Sequence, residues 1–179
     1  MSTNQNRYQN SSYFMELALQ QATRSLGNTR ENPSVGCVVV KNNHLISAGY
    51  TSIGGRPHAE MNALNFSRIN LQNSELYVTL EPCSHYGKTP PCVKFIIKKK
   101  IKRVFFSIHD PDKRSFNKSK LNLKNGGIRV INNVLKEKIK PFYKSYFISK
   151  KNNLPFVTCK LAISKDFFTI NKKNKWITN

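Results

Sequence analysis

Apolar side chains return at helical spacing between Tyr13 and Leu26, at Phe14, Leu17, Ala18 and Leu26, and Gly27 follows as a stop signal. This predicts an opening amphipathic helix. After the ENP turn, SVGCVVVK reads as a buried strand, NNH as a tight turn and LISAGYTS as the antiparallel partner strand. Pro57 then opens a helix that continues through AEMNALNFSRI. His58 and Glu60 fall in its first turn, and Met61, Leu64 and Ile69 near one face.

The second half repeats the alternation. ELYVTL predicts a strand, EPCSHYGKTPP a loop, and a helix begins around Pro91 carrying Cys92, Phe95 and Ile96. IKRVFFSI predicts another strand that ends at HDPDKRS. SKLNLKNGG follows as a short helix closed by glycine, IRVINNV as a further strand, and PFYKSYF as a final helix packed by its aromatic residues. Strands alternating with helices predict an α/β layer sandwich around a mixed sheet of about five strands. The main domain is expected over residues 1–150, with 151–179 as a short appendage. In that appendage FVTCKLAI is strand-like, has no evident partner in the preceding domain, and leads into NKKNK and WITN.

Composition narrows the setting. The 179 residues, 39% hydrophobic, suffice for one well-packed domain. Four cysteines, one of them Cys37 inside VGCVVV, are too sparse for a disulfide framework. The amino terminus lacks the apolar segment of a secretory signal, and no apolar run approaches a membrane span. A reducing cytoplasm is therefore expected, with no membrane partner. The net charge of +21 would ordinarily point to a polyanion. Lysine, asparagine and isoleucine recur along the whole chain, however, as in KIK, KKNN and NKKNK, so the lysines read as a solvated surface. Nucleic acid is not the expected partner, whereas a phosphorylated small molecule remains attractive to such a charge.

The chemistry lies in HAE at 58–60 and in Cys83 and Cys92, which have eight residues between them. One imidazole and two thiolates suit Zn²⁺, and three protein ligands leave the fourth position open, as a catalytic zinc requires. Glu60 sits two residues after His58, where it can shuttle protons without ligating. Cys83 just after a strand and Cys92 at a helix start are favoured as thiolates by nearby amide N–H groups. Histidine, glutamate two positions on, then proline-cysteine and a second cysteine is the general signature of zinc nucleobase deaminases, usually with two residues between the cysteines. Two readings stand beside it: buried thiols with a capping histidine, and a structural zinc closed by His85, Cys37 or Cys159.

NPSVGCVVV, AGYTSIGGRPHAEMNAL, LYVTLEPCSHYGKTPPC, IKRVFFSIHDP and GGIRV, in that order from about Tyr13 to Phe147, resemble the deaminase half of the bifunctional riboflavin-biosynthesis deaminase/reductase family. SHYGKTPP is the most specific element. The resemblance implies a three-layer α/β/α sandwich of the cytidine-deaminase-like class and hydrolysis of 2,5-diamino-6-(5-phosphoribosylamino)pyrimidin-4(3H)-one to 5-amino-6-(5-phosphoribosylamino)uracil and ammonia. It implies His58, Cys83 and Cys92 as zinc ligands, Glu60 as proton carrier, Asn32 and His85 as substrate contacts, and Lys88 as a point charge for the ribose phosphate.

Thr51 stands where such relatives commonly have histidine, and Asn117 and Ser119 where they place glycines. LPFVTCKLAISKDFFTI resembles the opening of the reductase half, with Phe167 in place of a glycine. Reduction is therefore expected from a separate reductase chain, on which the terminal strand docks unless it packs on a second copy in a homo-oligomer. Two rival readings are a nucleotide or tRNA deaminase with the same chemistry, and a basic nucleic-acid-binding module with structural zinc.

Overall fold

The apolar run GCVVVK becomes β1 (Gly36–Lys41), the strand that the rest of the sheet forms around. It pairs antiparallel with β2 (His44–Tyr50) on one edge and with β3 (Glu75–Leu80) on the other, and helices pack on both its faces, so neither face needs polar residues. The β1–β2 connection uses Asn42 and Asn43, both at positive φ, the conformation that a two-residue hairpin turn demands and asparagine tolerates. β4 (Arg103–Ile108) and β5 (Arg129–Ile131) continue in parallel, giving a mixed five-stranded sheet in the order β2-β1-β3-β4-β5. This computed structural model describes residues 2–67 and 69–170. NKKNK and WITN lie outside the described residues.

Two glycines fix how closely the helical layers approach. Gly36 and Gly49 lie on neighbouring rungs of the β1–β2 ladder, where Gly36 pairs with Tyr50 and Cys37 with Gly49, so they face opposite sides of the sheet. On one side α1 (Ser2–Thr23) lies so close that a Cβ on Gly36 would sit 1.8 Å from the Ala18 carbonyl oxygen. On the other side α2 (Ala59–Asn65) lies so close that a Cβ on Gly49 would sit 2.5 Å from the Ala63 nitrogen. The helix α3 (Cys92–Lys98) joins β3 to β4, and α4 (Lys118–Asn125) joins β4 to β5. After β5 come α5 (Lys136–Ile139), a 3₁₀ turn (Lys140–Tyr143) and α6 (Lys144–Asn152). Tyr143 returns to the sheet, its buried hydroxyl 2.6 Å from Thr79 Oγ1. The α/β sandwich with about five strands is therefore as expected.

Three expectations change. Leu26 is 53% exposed because α1 ends at Thr23, where the Ser34 hydroxyl donates to the Ala22 carbonyl oxygen. Met15 and Ala22 occupy the buried face instead. Ile69 is 51% exposed, since α2 stops at Asn65 before reaching it. FVTCKLAI forms no strand: it has no regular secondary structure and joins no ladder of the sheet, and Val157 and Leu161 are 80% and 72% exposed. β propensity alone does not make a strand when no sheet edge receives it. No described helix is long and apolar enough to cross a membrane.

Gly36→Ala is expected to destabilise the fold by about 3 kcal/mol, because the new methyl meets helix backbone that cannot rotate aside. Urea denaturation should show a lower midpoint at an unchanged slope.

Candidate metal centre

Two helix N-termini converge on the carboxyl end of β3. His58 is the N-cap of α2, with extended backbone, and its ring swings toward the chain that leaves β3 through Glu81, Pro82 and Cys83. Cys92 is the first residue of α3, after the N-cap Pro91. The Cys92 amide donates to Cys83 Sγ at 3.2 Å, and the Val93 amide to the Cys83 carbonyl at 3.2 Å, so the start of α3 grips the cysteine that follows β3. The eight residues between the cysteines form a loop that leaves this junction and returns to it. Its length does not separate the thiols.

His58 Nδ1 lies 3.6 Å from Cys83 Sγ and 3.4 Å from Cys92 Sγ, and the three donor atoms all lie within 4.8 Å of one another. A tetrahedral zinc with its usual bond lengths would separate nitrogen from sulfur by roughly 3.6 Å. The donor set and its spacing fit that ion, and Nδ1 is the nitrogen that faces it. Cys37, Cys159 and His85 do not join the cluster: Cys37 is buried within β1, Cys159 is exposed, and His85 Nδ1 pairs with Ser115 Oγ at 2.9 Å.

The protonation pattern is that of a site arranged for a cation. Hydrogen bonding from the Cys92 thiol, then from His58 and the Cys92 amide, pulls the Cys83 thiol down to about 4. Cys92 is pushed up, first by its pairing with Cys83 and then by burial and Glu60, and a divalent ion would favour both sulfurs as thiolates. His58 is raised, chiefly by its bond to Cys83. Glu60, 4% exposed and outside the three-donor cluster, is raised to about 7 by burial and then by the Cys83 charge.

Beside the cluster is a cleft of about 110 Å³ lined by His58, Glu60 and Cys83 together with Asn32 and His85. Asn32 donates from Nδ2 to the Gly55 carbonyl at 3.1 Å. Lys88 is exposed and does not line the cleft. The cations that do are Arg56, Arg114 and Lys150, which come from three separate segments. Arg56 also donates to Thr89 Oγ1 at 2.7 Å, bracing the intercysteine loop. Thr51 lines the cleft as well, but its hydroxyl accepts from the Val35 amide at 3.0 Å. Asn117 takes the positive φ of the loop before α4, and buried Ser119 donates its hydroxyl to the Pro82 carbonyl. The glycine-free loop is thus built from the residue type that best tolerates that conformation.

Sequence reasoning passed over Asp110, Asp112 and Tyr146. The available signal was topological, since ligands collect beyond the carboxyl ends of parallel strands and Asp110 follows β4. Tyr146 Oη donates to Asp110 Oδ1 at 3.0 Å, while burial raises the Asp110 carboxyl to about 6. Arg114 grips Asp112 through Nε and NH2, at 2.9 and 2.5 Å, and holds its carboxyl well below the usual range.

Comparison with known proteins agrees with this geometry. The sequence pattern described as the cytidine and deoxycytidylate deaminase zinc-binding region matches residues 8–108. The riboflavin biosynthesis protein RibD of Bacillus amyloliquefaciens is 40% identical over 169 residues, which is 93% of this chain and 46% of that protein. Among solved structures, a diaminohydroxyphosphoribosylaminopyrimidine deaminase/5-amino-6-(5-phosphoribosylamino)uracil reductase from Thermotoga maritima superposes with a TM-score of 0.89. It shows 35% identity over 96% of this chain and 50% of that one. RibD of Acinetobacter baumannii superposes with a TM-score of 0.87 at 36% identity, covering 96% and 49% of the two chains. The chain spans about half the length of the curated relatives it matches. The fold is cytidine-deaminase-like.

Asp110 generates a pH prediction. Its pKa rises from 3.8 to about 6 on folding, so the native chain holds more protons between those values. Stability therefore falls as pH rises through that window and stays lowered above it. Asp110→Asn, which can still accept from Tyr146, should be more stable than the parent at pH 7.5, on the order of 2 kcal/mol. Urea denaturation at pH 7.5 and pH 4 checks this, with the difference disappearing at the lower pH.

Proposed function

Since the chain belongs to the family defined by the cytidine and deoxycytidylate deaminase zinc-binding region, we propose that it is a zinc-dependent aminohydrolase of riboflavin biosynthesis. In this reading it converts 2,5-diamino-6-(5-phosphoribosylamino)pyrimidin-4(3H)-one and water into 5-amino-6-(5-phosphoribosylamino)uracil and ammonia. The observation that carries the proposal is the cluster of three donors, not four, with a buried carboxylate beside it and a cleft in front. A structural zinc would need a fourth protein ligand, and no further donor joins the cluster among the described residues. The Thermotoga deaminase/reductase supports the substrate by its name, and the Bacillus RibD supports the pathway by its own.

His58, Cys83 and Cys92 would hold the ion, whose Lewis acidity acidifies a water in the remaining position. Glu60 is suited to the proton traffic. A pKa near 7 lets it take one proton from the attacking water and pass it to the ring nitrogen, then take the second from the same oxygen, once bonded to the ring carbon, and pass it to the departing amine. Burial keeps those transfers away from bulk water. Asn32, fixed by its bond to Gly55, presents an amide oxygen for the ring, and His85 borders the same space.

The phosphate is assigned to the cations that line the cleft. Arg114 is already paired with Asp112, which leaves Arg56 and Lys150 as the better candidates, with Lys88 outside. A reductase unit as partner and a reducing cytoplasm belong to the same reading. The exposed apolar side chains of the tail support the first, and four free cysteines the second.

Ammonia release from the named substrate tests the function directly. The protein should be active, a chelator should abolish activity, and Glu60→Gln should keep equimolar zinc while losing roughly 10²- to 10⁴-fold in kcat. Near-parental turnover by Glu60→Gln would remove its role as proton carrier. For the phosphate, Lys150→Ala should raise KM roughly tenfold for the phosphorylated substrate and little for its dephosphorylated analogue. Lys88→Ala should move neither, and the opposite ranking would return the phosphate to the intercysteine loop.

A further inference from the structure

Behind the cleft, four polar side chains form a chain of hydrogen bonds whose direction is fixed. Lys120 Nζ, which can only donate, lies 3.4 Å from Asn132 Oδ1. That orients the amide so that Asn132 Nδ2 faces His109 Nε2 at 3.1 Å. An amide nitrogen cannot accept, so Nε2 is the unprotonated ring nitrogen and Nδ1 carries the hydrogen. His109 Nδ1 then donates to Glu81 Oε2 at 2.8 Å. Every bond in the series donates toward the Glu81 carboxylate, and the His109 ring is held between Phe106 and Phe116.

The other oxygen of that carboxylate has no such provision. Glu81 is 3% exposed, and its Oε1 is buried without a hydrogen-bond partner among the described residues. The residue lines the same cleft as Asn32 and Glu60. A buried acceptor left unmatched costs free energy, and a fold that clamps one oxygen while leaving its twin unmatched points to a donor supplied from the cleft.

We propose that Glu81 is a substrate-recognition residue whose Oε1 accepts a hydrogen bond from an amino or ring N–H of the bound heterocycle, with His109 and Asn132 as positioning residues that set the carboxylate. This assignment rests on the aminopyrimidine reading above. It deepens that reading by naming the polar group that selects a donor-bearing ring edge. A glutamine at the same position keeps the shape but can turn an N–H toward the ligand, donor against donor.

Calorimetric titration of the diaminopyrimidine substrate into zinc-loaded Glu60→Gln protein measures binding without turnover. Adding Glu81→Gln should weaken binding roughly 10- to 100-fold at unchanged zinc content. In the same background, His109→Asn, whose amide nitrogen replaces the Nδ1 donor, should retain most of the affinity. His109→Phe, which keeps only the ring contacts, should lose it. Unchanged affinity in the Glu81→Gln protein overturns the recognition role, and so does a loss of affinity that follows a loss of zinc. Equal behaviour of the two His109 variants overturns the positioning role. Failure of the Glu60→Gln parent to bind the substrate overturns the substrate reading and this assignment with it.

Discussion

The structure depends on the Cys92 amide donating to the Cys83 sulfur. That 3.2 Å bond ties the first turn of α3 to the chain leaving β3 and brings two thiols and one imidazole within 4.8 Å. A helix start is a good place for it, since its first amides have no partner within the helix and favour a negative sulfur. His58 reaches the same point from the cap of α2. Both helices are held against one face of the sheet core, α2 by direct backbone approach to Gly49. Core packing therefore sets the donor positions, and the intercysteine loop is free to vary in length.

How much of this is legible in the sequence depends on how far the relevant contacts reach. The buried run GCVVVK, the NNH turn and the helix starts at Pro57 and Pro91 are local patterns, and the corresponding elements form where local physics puts them. The zinc cluster is legible for the same reason, because each ligand lies beside an element boundary that the sequence marks. Asp110, Tyr146 and Lys150 reach the cleft from β4 and α6, and no local spacing announces such a meeting. Lys88 is placed the other way. It lies within a specific motif, and the loop holds it exposed and outside the cleft lining, while Arg56, two residues before His58, lines the cleft. The tail differs again, since FVTCKLAI has the composition of a strand and pairs with neither edge of the sheet, β2 or β5.

Charge supplies an independent view of the cleft. The chain carries 30 lysines and arginines against nine aspartates and glutamates. Five of those nine, Glu31, Glu60, Glu81, Asp110 and Asp112, line this one cleft. A surface evolved for nucleic acid would keep acids out of its groove, whereas here they are gathered in it. Acid groups so placed suit a divalent ion and a ligand rich in N–H donors.

The same concentration creates a problem that the fold resolves unequally. Carboxylates in one small, partly buried volume repel one another, and burial and local partners push them in different directions. Asp112 has Arg114 and is held low; Asp110, despite bonds from the Asp112 amide and the Tyr146 hydroxyl, is raised by burial; and Glu60 is raised to about 7 by burial and the Cys83 charge. Environment alone thus ranks the acids from a fixed charge to an exchangeable proton. The group at the exchangeable end is the one beside the sulfur ligands. A single exposed carboxylate could not be tuned in this way, which is why the site needs burial by both helices, and for α2 that burial rests on its close approach to Gly49.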